Sequence, residues 1–306
     1  KECVLLYTAG GVPALTAIVR ALTEPGNESI VQTPGYNAFF SSARHHGCEI
    51  LTSPLIRREA TYEIDFADVE QKAADPHTRA LLLCNPHNPV GRVWHPDELQ
   101  RLGEICLRHD VIVVADEIHG DLVQPGFRFT PFASISERFM QNAITLVSPS
   151  KAFNLSGLQV AAIHVADDAV RQKIENALSI HEVCEINPFA VEALIAAYTY
   201  GETWLNALNS YLQSNYQYLK AFFTRHLPDF QVTQLEGTYL VWVHCPARPH
   251  ISANIAAYLK ENEKLWVNDG ALYGSEGEHF IRLNIACPRE RLTAGLEKIR
   301  HAFGRF

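Results

Sequence analysis

Arg79-Ala80-Leu81-Leu82-Leu83-Cys84 is apolar almost throughout and runs directly into Asn85-Pro86-His87-Asn88-Pro89-Val90-Gly91. A strand covered on both faces reads as such a continuous apolar run, whereas a half-exposed strand alternates. Val111-Ile112-Val113-Val114-Ala115 and Ala143-Ile144-Thr145-Leu146-Val147 repeat the pattern. Helical periodicity separates these runs. Residues 13–22 place Leu15, Ile18, Val19 and Leu22 on one face. Residues 96–108 open on Pro96 and carry Glu98 in the first turn, as a helix start does. Further strands are expected at residues 29–31, 49–51 and 160–165, with a helix over 38–45. This alternation predicts an α/β domain, a mainly parallel sheet with helices on both faces.

The second half changes character. Helices are expected at 169–178, 188–200, 204–223, 254–259 and 291–302, and strands at 230–232, 239–243 and 280–283. The expected division is a large domain over residues 1–215 and a smaller C-terminal α+β domain over 216–306. A chain of 306 residues accommodates two such units. No apolar run has the length of a membrane span. The net charge is −8 and the basic residues are scattered, which argues against a nucleic-acid partner. The seven cysteines are odd in number and form no CxxC pair, so neither a zinc site nor a disulfide framework is expected. Reduced thiols in a cytoplasm are the simplest expectation. The fourteen histidines are dispersed, and no metal site is expected. The start, Lys1-Glu2-Cys3-Val4, has no signal-peptide pattern.

Function in an open α/β sheet gathers at the carboxyl ends of the strands. Here those ends carry Asn88, then Asp116-Glu117-Ile118-His119, then Ser148-Pro149-Ser150-Lys151. A lysine at the end of a buried strand is pushed toward a neutral, nucleophilic amine, the chemistry of a Schiff-base lysine. Pyridoxal phosphate needs each of these groups. Its aldehyde needs a lysine, and its ring nitrogen needs a carboxylate that keeps it protonated. Its phenolic oxygen needs a donor, and its phosphate needs hydroxyls and the N–H groups of a helix N-terminus. Thr8-Ala9-Gly10-Gly11-Val12-Pro13 leads into the first helix and offers that cradle.

With these motifs together, the chain resembles the fold-type I pyridoxal-phosphate enzymes of the class I/II aminotransferase superfamily. More narrowly it resembles the PatB/MalY-type cystathionine β-lyases, or C–S lyases. CNPHNPVGRVW (84–94), DEIH (116–119), SPSKAFNLSGLQ (148–159), TPGYNAFF (33–40) and FIRLNIACPR (280–289) carry the resemblance. It implies that Lys151 forms the Schiff base and removes the substrate Cα proton, and that Asp116 pairs with the pyridinium. It implies that Asn88 donates to the phenolic oxygen, that Tyr36 stacks on the ring, and that Ser148, Gly11 and Val12 bind phosphate. His119 stands where most aminotransferases have tyrosine and is expected to bind the cofactor's oxygen through a ring N–H, with a structural histidine as the alternative; Gln159 stands where many have a phosphate-binding arginine. Arg282 matches the residue that grips the substrate α-carboxylate. Tyr239 and Tyr273 are expected mainly to pack, with a place lining the substrate entrance as the alternative.

The implied reaction is β-elimination from L-cystathionine or another S-substituted cysteine, giving homocysteine or another thiol, pyruvate and ammonia. An aminotransferase acting on an aromatic or neutral amino acid is the alternative. A truncated, non-catalytic cofactor-binding or interaction protein is a third. The resemblance also implies a homodimer, and a further N-terminal segment that this sequence lacks.

Overall fold

A computed structural model describes residues 5–248 and 254–304; Cys3 and the start of the chain lie outside them. The first part holds β1 (Leu5–Thr8), α1 (Gly11–Leu22), β2 (Glu28–Thr33), α2 (Asn37–His45), β3 (Glu49–Pro54), β4 (Ile56–Arg58), β5 (Thr61–Glu63) and α3 (Phe66–Ala73). Then come β6 (Thr78–Cys84), α4 (Pro96–Arg108), β7 (Ile112–Asp116), α5 (Glu137–Gln141), β8 (Ala143–Val147), β9 (Ala161–Val165), α6 (Asp168–Ile180), α7 (Pro188–Tyr200) and α8 (Glu202–His226). The remainder holds β10 (Gln231–Val232), β11 (Leu240–His244), α9 (Ile255–Glu263), β12 (Asn268–Asp269), β13 (Phe280–Asn284) and α10 (Arg289–Phe303).

Seven strands form one sheet in the order β1-β9-β8-β7-β6-β2-β3. From β3 across to β8 every pair is parallel. The apolar runs are explained by what covers them. Leu81, Leu83, Val113 and Ala115 pack with α3, α4 and α5 on one face. The alternate residues Ala80, Leu82 and Val114 pack with α1, α2 and α6 on the other. Helix α4 starts as its sequence demands. His95 is the N-cap, Pro96 follows, and the Glu98 carboxylate accepts the His95 N–H to close a capping box.

The edge at β9 departs from an all-parallel sheet. β9 runs antiparallel to β8, and β1 antiparallel to β9. The connection between β8 and β9 holds only a 3-10 turn, Ser156–Leu158, in place of the crossover helix that a parallel pair needs. Two reversals bring β1 parallel to β8. Its carboxyl end and the start of α1 therefore lie on the same edge of the sheet as Lys151.

The second sheet is antiparallel, in the order β10-β11-β13-β12. Val241, Val243, Ile281 and Leu283 pack with α8, α9 and α10. Trp242 and Phe280 of this sheet instead join the core beneath the large sheet, where Trp242 Nε1 donates to the Tyr62 hydroxyl at 3.2 Å. Residue 216 lies within the long helix α8, with Tyr216 buried in the C-terminal core.

Candidate active site

The carboxyl ends of adjacent strands deliver most of the candidate residues to one cavity of about 520 Å³. Tyr36 follows β2 and caps α2, with its ring edge-on to Phe39 at 5.8 Å. Asn88 follows β6, Asp116 ends β7 with His119 just beyond, and Lys151 follows β8. Gly11 and Val12 line the cavity from the first turn of α1. Gly10 ahead of them has φ 126°, and a Cβ on Gly11 would sit 2.5 Å from Ile118 Cδ1. A residue without a side chain lets backbone N–H groups approach a ligand closely here. Arg282 and Tyr239 reach the same cavity from the second sheet.

Arg282 is held without a carboxylate. Its Nη1 donates to Asn88 Oδ1 at 2.9 Å and its Nη2 to Asn268 Oδ1 at 3.2 Å. The guanidinium lies 4.9 Å from the Tyr273 ring centre, and its buried Nε has no partner. Among the described residues no ion pair involves Arg282, so the buried ion pair that would make it purely structural is not seen there. An arginine fixed by neutral amides keeps donors for an incoming anion. Because its oxygen faces Arg282, Asn88 has the amide nitrogen to offer the cavity.

Burial governs the electrostatics of this wall. Asp116 is pushed up to about 6 by burial, opposed by the Ile118 N–H and by nearby Lys151. No ion pair involves Asp116 among the described residues, so a cationic ligand would relieve a real desolvation cost. Burial lowers His119 to about 3, which leaves a neutral imidazole, and Lys151 and Arg282 act in the same sense. Its Nδ1 is buried without a partner. Tyr36 is raised to about 12, mainly by burial.

Glu117, beside Asp116, is raised to about 8 by burial, while its hydrogen bond from the Phe132 N–H at 2.7 Å pulls the other way. A carboxyl whose folded value exceeds its unfolded one binds more protons when folded, so stability falls as pH rises between about 4.5 and 8. Glu117→Gln keeps the acceptor for Phe132 and removes the titration. Thermal melts of the variant and parent should coincide near pH 4 and separate by roughly 5 °C in the variant's favour near pH 9.

Ser148 lies in the loop between β8 and Lys151. Its hydroxyl donates to the Val160 carbonyl at 2.6 Å and accepts the Ser150 N–H at 3.1 Å. It fastens the loop ahead of Lys151 and does not line the cavity, whereas Ser150, Ser156 and Gln159 do. The motif SPSK offers two serines, and only the backbone path decides which one faces inward. Cys84, buried in the core at the end of β6, also lines the cavity. Tyr239 lines it as well, while Tyr273 is buried beneath Arg282. His87 and Trp94 are structural: His87 Nε2 bonds the Pro34 carbonyl at 2.8 Å, and Trp94 Nε1 donates to the Cys84 carbonyl at 2.9 Å.

The sequence matches the model of the aminotransferase class I and II family over residues 1–299. The cystathionine β-lyase PatB of Bacillus subtilis is 39% identical over 298 residues, 97% of this chain and 77% of that protein. The chain belongs to the class I and II aminotransferase family, in its cystathionine β-lyase group. Solved members of similar shape include cystalysin from Treponema denticola, which contains pyridoxal 5'-phosphate. It superposes with a TM-score of 0.95 at 32% identity, over 98% of this chain and 76% of that one. The pyridoxal-phosphate-bound C–S lyase of Staphylococcus hominis gives 0.92 at 34% identity, over 97% of this chain and 76% of that one. The fold of this family is the mainly parallel sheet with flanking helices described above.

Proposed function

We propose that the protein is a pyridoxal-phosphate-dependent C–S β-lyase that cleaves L-cystathionine or a related S-substituted cysteine to a thiol, pyruvate and ammonia. The observation that carries this reading is the convergence of Lys151, Asp116 and a carboxylate-free Arg282 on one cavity. Membership of the cystathionine β-lyase group supports the lyase over the aminotransferase.

The donor set fits the cofactor. Asp116 is a buried carboxylate without an ion pair, suited to hold a proton on the ring nitrogen. The Asn88 amide nitrogen is the donor for the phenolic oxygen, and the neutral His119 ring lies on the same wall. The N–H groups of Gly11 and Val12, with the hydroxyls of Ser150 and Ser156, suit the phosphate. Ser148 supports that loop from behind. The Tyr36 ring is the stacking surface. Bound pyridoxal phosphate supplies the electron sink for the pair left when the Cα proton departs.

The chain's own residues do the rest. Lys151 is the covalent attachment point, and its freed amine takes the Cα proton. Arg282 grips the α-carboxylate through two parallel N–H bonds and so fixes which bond at Cα faces Lys151. Arg282→Lys keeps the charge and loses the fork. Its KM for cystathionine should rise roughly 10–100-fold with the visible cofactor absorbance intact.

The apolar helix α7 supports a homodimer. Phe189, Ile195, Tyr198 and Tyr200 are exposed, at 76%, 50%, 50% and 81%, and Ala190 is its one buried residue. A helix that exposes apolar residues around most of its circumference suits burial against a second copy. The six described cysteines are free thiols, which supports a reducing cytoplasm. No described helix is long and apolar enough to cross a membrane. We place the domain division near residue 216, between the two sheets. The test of function is steady thiol release from L-cystathionine by the cofactor-reconstituted protein. Transfer of the amino group to an added 2-oxo acid without thiol release would favour the aminotransferase reading.

A further inference from the structure

One segment outside the proposed machinery ties the two sides of the cavity together. Residues 234–239 leave the small sheet after β10, cross the large domain and return as β11. The Gly91 carbonyl accepts the N–H groups of Glu236 and Gly237 at 2.8 and 3.0 Å. On the other side Gln124 N–H donates to the Glu236 carbonyl at 2.8 Å, and Thr238 N–H to the Leu122 carbonyl at 2.7 Å. The segment is thereby pinned between the loop bearing Asn88 and the loop bearing His119. The passage is narrow, since a Cβ on Gly237 would lie 2.8 Å from both Pro86 Cβ and Val93 Cγ2.

Its side-chain anchor is Glu236, which is 4% exposed. The carboxylate accepts Arg92 Nη1 at 3.0 and 2.8 Å and the Val93 N–H at 2.9 Å. Arg92 Nη2 reaches both oxygens of Glu98 at 2.7 Å. A part-buried Glu–Arg–Glu triad is a weak source of stability, because desolvation offsets much of the attraction. It does fix geometry, and Tyr239 follows Glu236 by three residues. The Tyr239 ring lines the cavity edge-on to His119 at 5.7 Å, with Arg282 close enough to act on its titration. Its hydroxyl has no hydrogen bond among the described residues, and its raised pKa keeps the proton in place.

We infer that Tyr239 contacts the substrate, its hydroxyl donating to the amino acid's α-carboxylate beside Arg282, and that Arg92 and Glu236 are positioning residues that set it. This rests on the reading of the cavity as an amino-acid site on pyridoxal phosphate.

The test titrates cofactor-reconstituted protein with L-alanine, which has an α-carboxylate and no group to eliminate, and reads an apparent Kd from the visible absorbance. Tyr239→Phe should raise that Kd about tenfold while the unliganded spectrum stays unchanged. Glu236→Gln should raise it several-fold, and the double variant should go no higher than Tyr239→Phe alone. A merely structural Glu236 would lower thermal stability and multiply with Tyr239→Phe in Kd. Either that multiplication or a Tyr239→Phe Kd within twofold of the parent would overturn the inference. Thiol release from L-cystathionine is measured on the parent in parallel. If it is absent, the lyase reading fails and the alanine titration still decides the role of Tyr239. A parent without cofactor absorbance overturns both.

Discussion

Lys151→Ala is expected to abolish the visible absorbance of reconstituted protein and to lower kcat/KM for thiol release by about 10³-fold or more. Two functions are lost together. The cofactor loses its covalent attachment and should wash out on gel filtration, and the amine that takes the Cα proton is gone. The fold should be indifferent. Lys151 is half-buried, makes no ion pair among the described residues, and follows β8 in a loop held by Ser148. Melting temperatures of variant and parent apoprotein should therefore agree closely. Lys151→Arg is the control for charge. It keeps a cation near Asp116 and His119 but supplies no nucleophilic amine, so it should fail as completely as alanine. Recovery of activity in Lys151→Arg would mean that charge alone is the lysine's contribution.

Asp116→Asn should move stability and activity in opposite directions. In the apoprotein the carboxylate is buried, lacks an ion pair among the described residues, and is raised to about 6 by that burial. Asparagine keeps an acceptor for the Ile118 N–H and removes the desolvated charge, so the apoprotein should melt higher above pH 6 and unchanged near pH 3. The sign follows from linkage, since a carboxyl raised on folding loses stability as pH climbs through its folded value. With cofactor bound, the same change removes the partner of a protonated ring nitrogen. Breaking a buried charge pair by deleting one member costs about 3–5 kcal/mol, which corresponds to roughly 100- to 5000-fold in kcat. Steady-state kinetics and apoprotein melts on one preparation check both halves. A variant both less stable and less active would indicate a structural carboxylate.

Much of this site was legible in sequence because each group sits one step beyond a buried strand. Asn88 follows β6, Asp116 ends β7 and Lys151 follows β8, and adjacent parallel strands end on one edge. Proximity in space therefore follows from position in the motif. Arg282 was legible through its string alone, since no local rule carries a β13 residue of the second sheet to Asn88. Glu236 was not legible for a related reason. Its contact with Arg92 spans 144 positions, through a segment with no periodicity. The bond from the Ser148 hydroxyl to the Val160 carbonyl was not legible at short range, because it depends on β9 turning back antiparallel. The hairpin of β4 and β5 and the short helices α3 and α5 were also missed. Ile56-Arg57-Arg58 has too few residues to show alternation, and α3 is announced only by Asp65, whose carboxylate accepts the Ala67 and Asp68 N–H groups.

The most direct measurement is the number of pyruvate molecules formed per active site when cofactor-reconstituted protein is given L-cystathionine and no 2-oxo acid. A C–S lyase built on Lys151, Asp116 and Arg282 should release pyruvate and homocysteine continuously, many equivalents per site, with the cofactor spectrum unchanged at the end. A single half-turnover that forms no pyruvate and leaves the cofactor as its amine would contradict the lyase assignment.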